Sequence, residues 1–371
     1  MKTVWWPEDV EPVWLTEVLR AGGAIGASQV CAFEAEPVGT GQMADSVRFR
    51  LRYDVEEPGA PASVVGKFTA ADPTSRATAL AMRTSEVEVR FYQQVASTLQ
   101  VPVPVCHHAE VDPATAEFVL LMSDQAPARQ GDQLTGCSPD DAGAALVALA
   151  GLHAPRWADP SLAGIGWLDR RSEDAHAFAE QLMPVLFAGF VDRYAERLGP
   201  EGVGVGERFM AHIGDYLRHQ PGPYTVQHGD FRLDNLLFAD SSDDGAADGV
   251  ADGVRRVCVV DWQTAIRGPA LADTSYFLGA GLVAEDRQAN ERALLREYHD
   301  RLCAVGVSGY SWDDCLTDYR RYAYSGYLMA VGASMMVERT DRGDDMFMAM
   351  ATRHAQQVLD LDAEELLVGC R

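Results

Sequence analysis

Apolar residues recur with a period near two through much of the first third of the chain, and near 3.6 over most of the rest. Residues 8–21 place Val10, Trp14, Leu15, Val18 and Leu19 at helical spacing, and Gly22-Gly23 close that segment. From Cys31 the pattern changes. Residues 31–37 read as a strand, and Val47, Phe49, Leu51 and Tyr53 alternate with Arg48, Arg50 and Arg52 in a second. Between them, Gly39-Thr40-Gly41-Gln42-Met43-Ala44 fits G-x-G-x-x-A, but dinucleotide binding requires a helix after the glycines, and a strand follows. The segment is therefore a hairpin turn, whose loop either covers phosphates with backbone N–H groups or simply reverses the chain. Residues 62–68 predict a third strand, 78–98 a helix, 101–105 the start of an extended stretch, and 118–122 a buried strand.

Composition shifts over residues 125–137, which are polar and contain glycine, and the helical period dominates beyond them. Two domains are expected, 1–122 and 123–371. Ser138-Pro139 is an N-cap followed by proline at the first helical position, opening a helix that runs to about His153. Further helices are expected from Ser172, over 202–219, and over 271–283, 285–305, 312–338 and 342–368. The short apolar runs 236–238 and 257–260 read as a buried hairpin. The residues joining them, 239–256, repeat Ala-Asp-Gly-Val and carry five aspartates. They lack the closing glutamate of a calcium loop and read as an exposed hairpin tip.

At 371 residues with 47% hydrophobic and 23% charged content, the chain is that of a folded globular protein with more than one core. A net charge of −24 argues against a nucleic-acid surface. The N-terminus lacks the pattern of a signal peptide and no apolar run reaches membrane-spanning length. Seven scattered cysteines without a C-x-x-C pair suit reduced thiols in a cytoplasmic protein rather than a zinc site. The basic residues say more. Of 31 Lys plus Arg only Lys2 and Lys67 are lysines, and Lys67 sits inside an apolar run. Arginine cannot replace a compact ammonium that must reach phosphates.

The densest chemistry lies at His228-Gly229-Asp230-Phe231-Arg232-Leu233-Asp234-Asn235, followed after the hairpin by Asp261-Trp262-Gln263. A carboxylate to orient a hydroxyl, with an amide and a second carboxylate to hold Mg²⁺, is what phosphoryl transfer from ATP requires. The helix over 78–98 offers two partners for Lys67, Glu86 and Glu88, which face directions about 200° apart, so only one can meet it.

The spacing H-G-D-x-x-x-x-N followed by D-W-Q resembles the aminoglycoside phosphotransferase-like branch of the protein-kinase-like fold, including its ecdysteroid-kinase-like relatives. The resemblance implies an α+β, two-lobed protein-kinase-like fold, with an antiparallel-sheet N-lobe and a mainly helical C-lobe. It implies Asp230 as catalytic base, Asn235 and Asp261 as metal ligands, and Lys67 as the phosphate-binding lysine paired with Glu88. Gly39 and Gly41 would belong to the phosphate cover, and the backbone around Leu121, Met122 and Ser123 would meet adenine. His-Gly-Asp and Asp-Trp-Gln replace the His-Arg-Asp and Asp-Phe-Gly of protein kinases, and the segment after Asp261 is too short to dock a polypeptide. The expected activity is ATP- and Mg²⁺-dependent phosphorylation of a small-molecule hydroxyl, without nucleic-acid or membrane partners. Two alternatives stand beside it, an aminoglycoside-type antibiotic-inactivating phosphotransferase and a nucleotide-binding pseudokinase. The acceptor is expected against the C-terminal helices, where most of the aromatic stripe of 312–338 reads as core and its residues nearest the cleft would line a partly apolar pocket.

Overall fold

The computed structural model describes residues 3–39, 43–170, 172–239 and 256–368. Its chain divides into two compact units. The first comprises Met1–Thr98, Val103–Ala126 and Val260–Thr264, and the second comprises Leu99–Pro102, Pro127–Val259 and Ala265–Arg371.

In the first unit α1 (Pro12–Ala21) precedes β1 (Val30–Pro37), β2 (Ala44–Tyr53) and β3 (Ser63–Thr69). After α2 (Pro73–Met82) and α3 (Thr84–Arg90), β4 (Cys106–Asp112) and β5 (Glu117–Ser123) complete an antiparallel sheet of order β1-β2-β3-β5-β4. The alternation of β2 is realised in its burial. Val47 and Phe49 join Val64, Phe68, Val119 and Leu121 in a core covered by Trp14, Leu15, Val18 and Leu19 of α1. Each such side chain stabilises the unit by about 1.5–3 kcal/mol on full burial. The arginines of β2 form cross-strand pairs, with Arg48 and Arg50 donating to Glu36 at 2.9 and 2.8 Å.

The helix expected over 78–98 is in fact broken. Arg83 adopts a left-handed conformation (φ 58°) between α2 and α3, and Phe91–Val95 then widens into a π turn. No residue preference announces an arginine in that conformation, so the apolar period alone ran through the break.

In the second unit β6 (Arg129–Gln130) precedes α4 (Pro139–His153), α5 (Glu173–Met210), α6 (Ile213–Arg218) and β7 (Tyr224–Gln227). Next come β8 (Leu236–Ala239), β9 (Arg256–Val259) and β10 (Ile266–Pro269), followed by α7 (Leu271–Gly281) and α8 (Ala284–Ala304). The last elements are α9 (Trp312–Arg321), α10 (Tyr324–Met336), α11 (Asp341–Asp360) and α12 (Glu365–Val368). Ser138 caps α4 by accepting from the Asp141 amide, and α5 kinks at Gly199 (φ 75°), where Pro200 follows. β8 and β9 pair antiparallel, Leu236 opposite Val259, as the apolar runs predict. The acidic tip they would carry falls on residues 240–255, outside the described residues. β7 and β10 pair in a second small ribbon that the pattern did not reveal.

The helix expected over 312–338 is two, separated at Tyr322-Ala323. Its aromatic stripe is core. Tyr319, Tyr322, Tyr324 and Tyr327 are all at most 1% exposed, and the Tyr322 and Tyr327 hydroxyls donate to the Pro221 and Gly202 carbonyls. Those four side chains are packed into the protein, leaving none of them to line an acceptor pocket. α7 is buried along almost its whole length, with α10 and α11 packed on it. No helix among the described residues is long and apolar enough to cross a membrane.

Candidate active site

The first unit holds one ammonium between two carboxylates. In β3 Val64, Gly66 and Phe68 are buried, so Lys67 leaves the strand on the opposite face. Its Nζ donates to Glu88 Oε2 at 2.6 Å and to Asp261 Oδ1 at 2.7 Å. Glu86 is engaged elsewhere, accepting from Arg83 at 2.9 Å and Arg90 at 2.7 Å. The geometry thus resolves the two candidates in favour of Glu88, which is 2% exposed. Burial acts to lower the Lys67 pKa, but Asp261 and Glu88 outweigh it and hold the ammonium above its usual value. Burial pushes the Glu88 carboxyl up, against the pull of Lys67.

Asp261 has left-handed backbone, φ 66°. Such a conformation costs a non-glycine residue about 1–3 kcal/mol and persists only where its surroundings enforce it. Trp262, fully buried, stacks on Phe91 at 3.8 Å between ring centroids and pins the segment beside α3. Asp261 Oδ2 accepts from Gln263 Nε2 at 3.3 Å.

Gly39, at φ 79°, follows β1, and beside it the Val38 amide donates to Ser46 O at 2.9 Å. Gly41 lies outside the described residues. Leu121, Met122 and Ser123 end β5. The Ser123 amide donates to Val105 O at 2.8 Å, and Gln125 Nε2 donates to the Ser123 carbonyl at 3.2 Å.

The second unit builds its site on the turn after β7. Gly229 takes φ 81°, a conformation open to glycine at little cost, and the turn presents Asp230. Asp273 of α7, 3% exposed, fixes this turn by accepting from the His228 amide at 2.7 Å and the Gly229 amide at 3.0 Å. His228 is fully buried, and its Nδ1 accepts from the Asp230 amide at 3.2 Å, a structural role.

Both oxygens of the Asp230 carboxylate are engaged. Oδ1 accepts from the Tyr276 hydroxyl at 2.6 Å. Oδ2 accepts from Arg232 Nε at 3.0 Å and from Asn235 Nδ2 at 3.1 Å. Asn235 Nδ2 also donates to the Asp230 carbonyl at 2.9 Å, so the amide is fixed through its nitrogen. Arg232 Nη1 continues to Asp234 at 2.5 Å, and Arg342 donates to Asp132 and Asp234 at 3.3 and 3.4 Å.

Asp273, Tyr276 and Arg232 were not foreseen as parts of this arrangement. Arg232 stands inside the motif without a role that spacing assigns. An acid within the apolar run of α7 was a usable signal for Asp273, since unpaired buried carboxylates are rare.

The sequence profile of the phosphotransferase enzyme family matches residues 74–305, more than half of the chain. The chain belongs to the phosphotransferase enzyme family. No curated protein sequence matches it. Among solved structures, an ethanolamine kinase from Plasmodium vivax covers 92% of this chain and 87% of its own, at 8% identity and a TM-score of 0.51. At that identity the likeness shows the fold, which is protein-kinase-like. A spectinomycin phosphotransferase in complex with ADP and spectinomycin (10% identity, TM-score 0.48) covers 96% of this chain and 99% of its own. A microcompartment-associated aminopropanol kinase (14%, TM-score 0.47) covers 96% and 98%.

In this phosphotransferase, Asp273→Ala removes the acceptor for two amides of the Asp230 turn. Unsatisfied buried groups cost about 1–3 kcal/mol each, so the variant is expected to melt well below the parent. Asp273→Asn, which keeps one acceptor oxygen, should fall between the two in a thermal melt. Equal midpoints for all three would remove Asp273 as the anchor.

Proposed function

We propose that this phosphotransferase moves the γ-phosphate of ATP, with Mg²⁺, to a hydroxyl of a small molecule. The observation that carries the reading is the Lys67 ammonium held between Glu88 and Asp261. Glu88 and Asp261 take two of the ammonium's three protons, and the third can meet a donor phosphate oxygen. Gly39 and Gly41 belong to the phosphate cover, and the backbone of Leu121, Met122 and Ser123 to the adenine site.

Asp230 orients the acceptor hydroxyl and takes its proton as the oxygen attacks the γ-phosphorus and the bond to ADP breaks. Asn235 and Asp261 are the metal ligands. Asn235 fits this role because its nitrogen is committed to Asp230, which leaves Oδ1 as the oxygen that can face a cation. Among the described residues, no three His, Cys, Asp or Glu side chains converge as a cation cage. Mg²⁺ held by one or two side chains together with phosphates needs none. Bound there, the ion supplies neutralisation of phosphate charge.

A polycationic antibiotic is the less favoured acceptor, because Asp132 and Asp234 beside the loop already carry Arg342 and Arg232. The reading suits the cytoplasm, where ATP is available and the six described cysteines, all unpaired, stay reduced.

Thermal-shift measurement tests the nucleotide half before any acceptor is known. Mg²⁺ with a non-hydrolysable ATP analogue should raise the midpoint, by linkage of binding to folding, and a hydroxylated acceptor should raise it further. An unmoved midpoint at millimolar analogue would count against the donor site.

A further inference from the structure

We infer that Tyr276 and Arg232 are positioning residues that hold Asp230 with a single free lone pair, on Oδ1, for the acceptor hydroxyl. The inference rests on Asp230 acting as the base, and it adds which oxygen does so and what aims it.

A carboxylate offers about four lone-pair sites, two on each oxygen. On Asp230, Oδ2 uses both, one for Arg232 Nε and one for Asn235 Nδ2. Oδ1 uses one, for the Tyr276 hydroxyl. Among the described residues nothing takes the fourth site, and it lies on the oxygen that Tyr276 holds. Tyr276 is a donor here and stays one. Burial and then the Asp230 charge keep its phenol well above the ordinary tyrosine range, so it remains protonated.

The side chains doing the holding are themselves fixed. The Tyr276 ring is 5% exposed and stacks on His354 at 5.7 Å, with 9° between ring planes. His354 donates from Nδ1 to Gln357 Oε1 at 3.0 Å, and Gly326 of α10 leaves the room its ring occupies, since a methyl there would overlap Nε2. On the other oxygen, Arg232 spans Asp230 and Asp234 with two arms of one planar fork, which stops the carboxylate turning about its own axis. As the acceptor oxygen forms its bond to phosphorus, its proton passes to Oδ1, and the bridging oxygen leaves with ADP.

The test uses basal hydrolysis of Mg·ATP by the full chain, with water in place of the acceptor hydroxyl. Tyr276→Phe keeps the ring and its stack on His354, so its melting midpoint should stay near the parent's. Its kcat should fall at least ~10-fold, the kinetic equivalent of one hydrogen bond to a charged group, while KM for Mg·ATP holds. Arg232→Lys keeps the charge but not the fork, and should lose activity in the same kcat-only manner. Because both act through Asp230, neither substitution should lower the residual rate further in an Asp230→Asn background.

Tyr276→Phe at the parent's kcat, a loss confined to KM, or an undiminished further loss in the Asp230→Asn background would each overturn the inference while the phosphotransferase reading stands. A parent that does not turn over Mg·ATP at all, on water or on any hydroxyl supplied, would overturn that reading and the inference with it.

Discussion

Asp230→Asn is expected to bind Mg·ATP nearly as the parent does and to lose at least ~10²-fold in turnover, the low end for removing a general base. The amide is isosteric, and its oxygen can still accept from Tyr276 or Arg232, so the turn anchored on Asp273 should persist. What is lost is the capacity to take a proton. The substitution also puts an N–H where a carboxylate oxygen stood, leaving either Tyr276 or the Arg232–Asn235 pair facing a donor. A small drop in melting midpoint is therefore compatible with the assignment. Retained turnover is not, and would remove Asp230 as the base.

The second large effect is expected at Lys67. Lys67→Met leaves Glu88 and Asp261 without their cation, and removing one partner of a buried pair costs about 3–5 kcal/mol. The variant should melt far below the parent whether or not nucleotide is present. Lys67→Arg separates charge from shape. It keeps a cation beside both carboxylates, yet its planar fork cannot occupy the place of a compact ammonium. Misplacement of about an ångström at a phosphate can cost on the order of 10²-fold in turnover. Lys67→Arg should thus be more stable than Lys67→Met and comparably inactive. Asp261→Asn, in contrast to Asp230→Asn, should lose Mg²⁺-dependent nucleotide binding as well as turnover. Parent-like turnover in Lys67→Arg would leave the lysine a structural role only.

Why the lysine could be singled out is plain in the chain itself. In a protein that otherwise uses arginine, a lone internal lysine within an alternating strand carries information that neither composition nor period supplies. The β1–β2 hairpin was equally legible, because arginines alternate with Val47, Phe49 and Leu51 and one face of the strand is core. Elements of four residues such as β7 and β10 are too short to show a period, and they became visible only through their pairing. The choice between Glu86 and Glu88 needed helix phase relative to β3, which a sequence leaves undetermined. The support of Asp230 was the least legible part. Asp273 and Tyr276 meet their partners across some 45 residues of sequence, and chain spacing does not encode such contacts. Most of the aromatic stripe of α9 and α10 is core, as expected, although tyrosines packed with satisfied hydroxyls have the same spacing as tyrosines lining a ligand site.

On the proposed function, this phosphotransferase breaks ATP at its γ-phosphate and hands that group to an oxygen. The most direct measurement follows Mg·ATP with the parent protein by ³¹P NMR, with and without candidate hydroxyl acceptors. The account predicts loss of the γ resonance and growth of ADP, with inorganic phosphate when water is the acceptor and a phosphomonoester when a hydroxyl serves. Chelation of Mg²⁺ should stop both. Saturable Mg·ATP binding with the γ resonance intact across every acceptor tried would contradict the account and leave a nucleotide-binding pseudokinase.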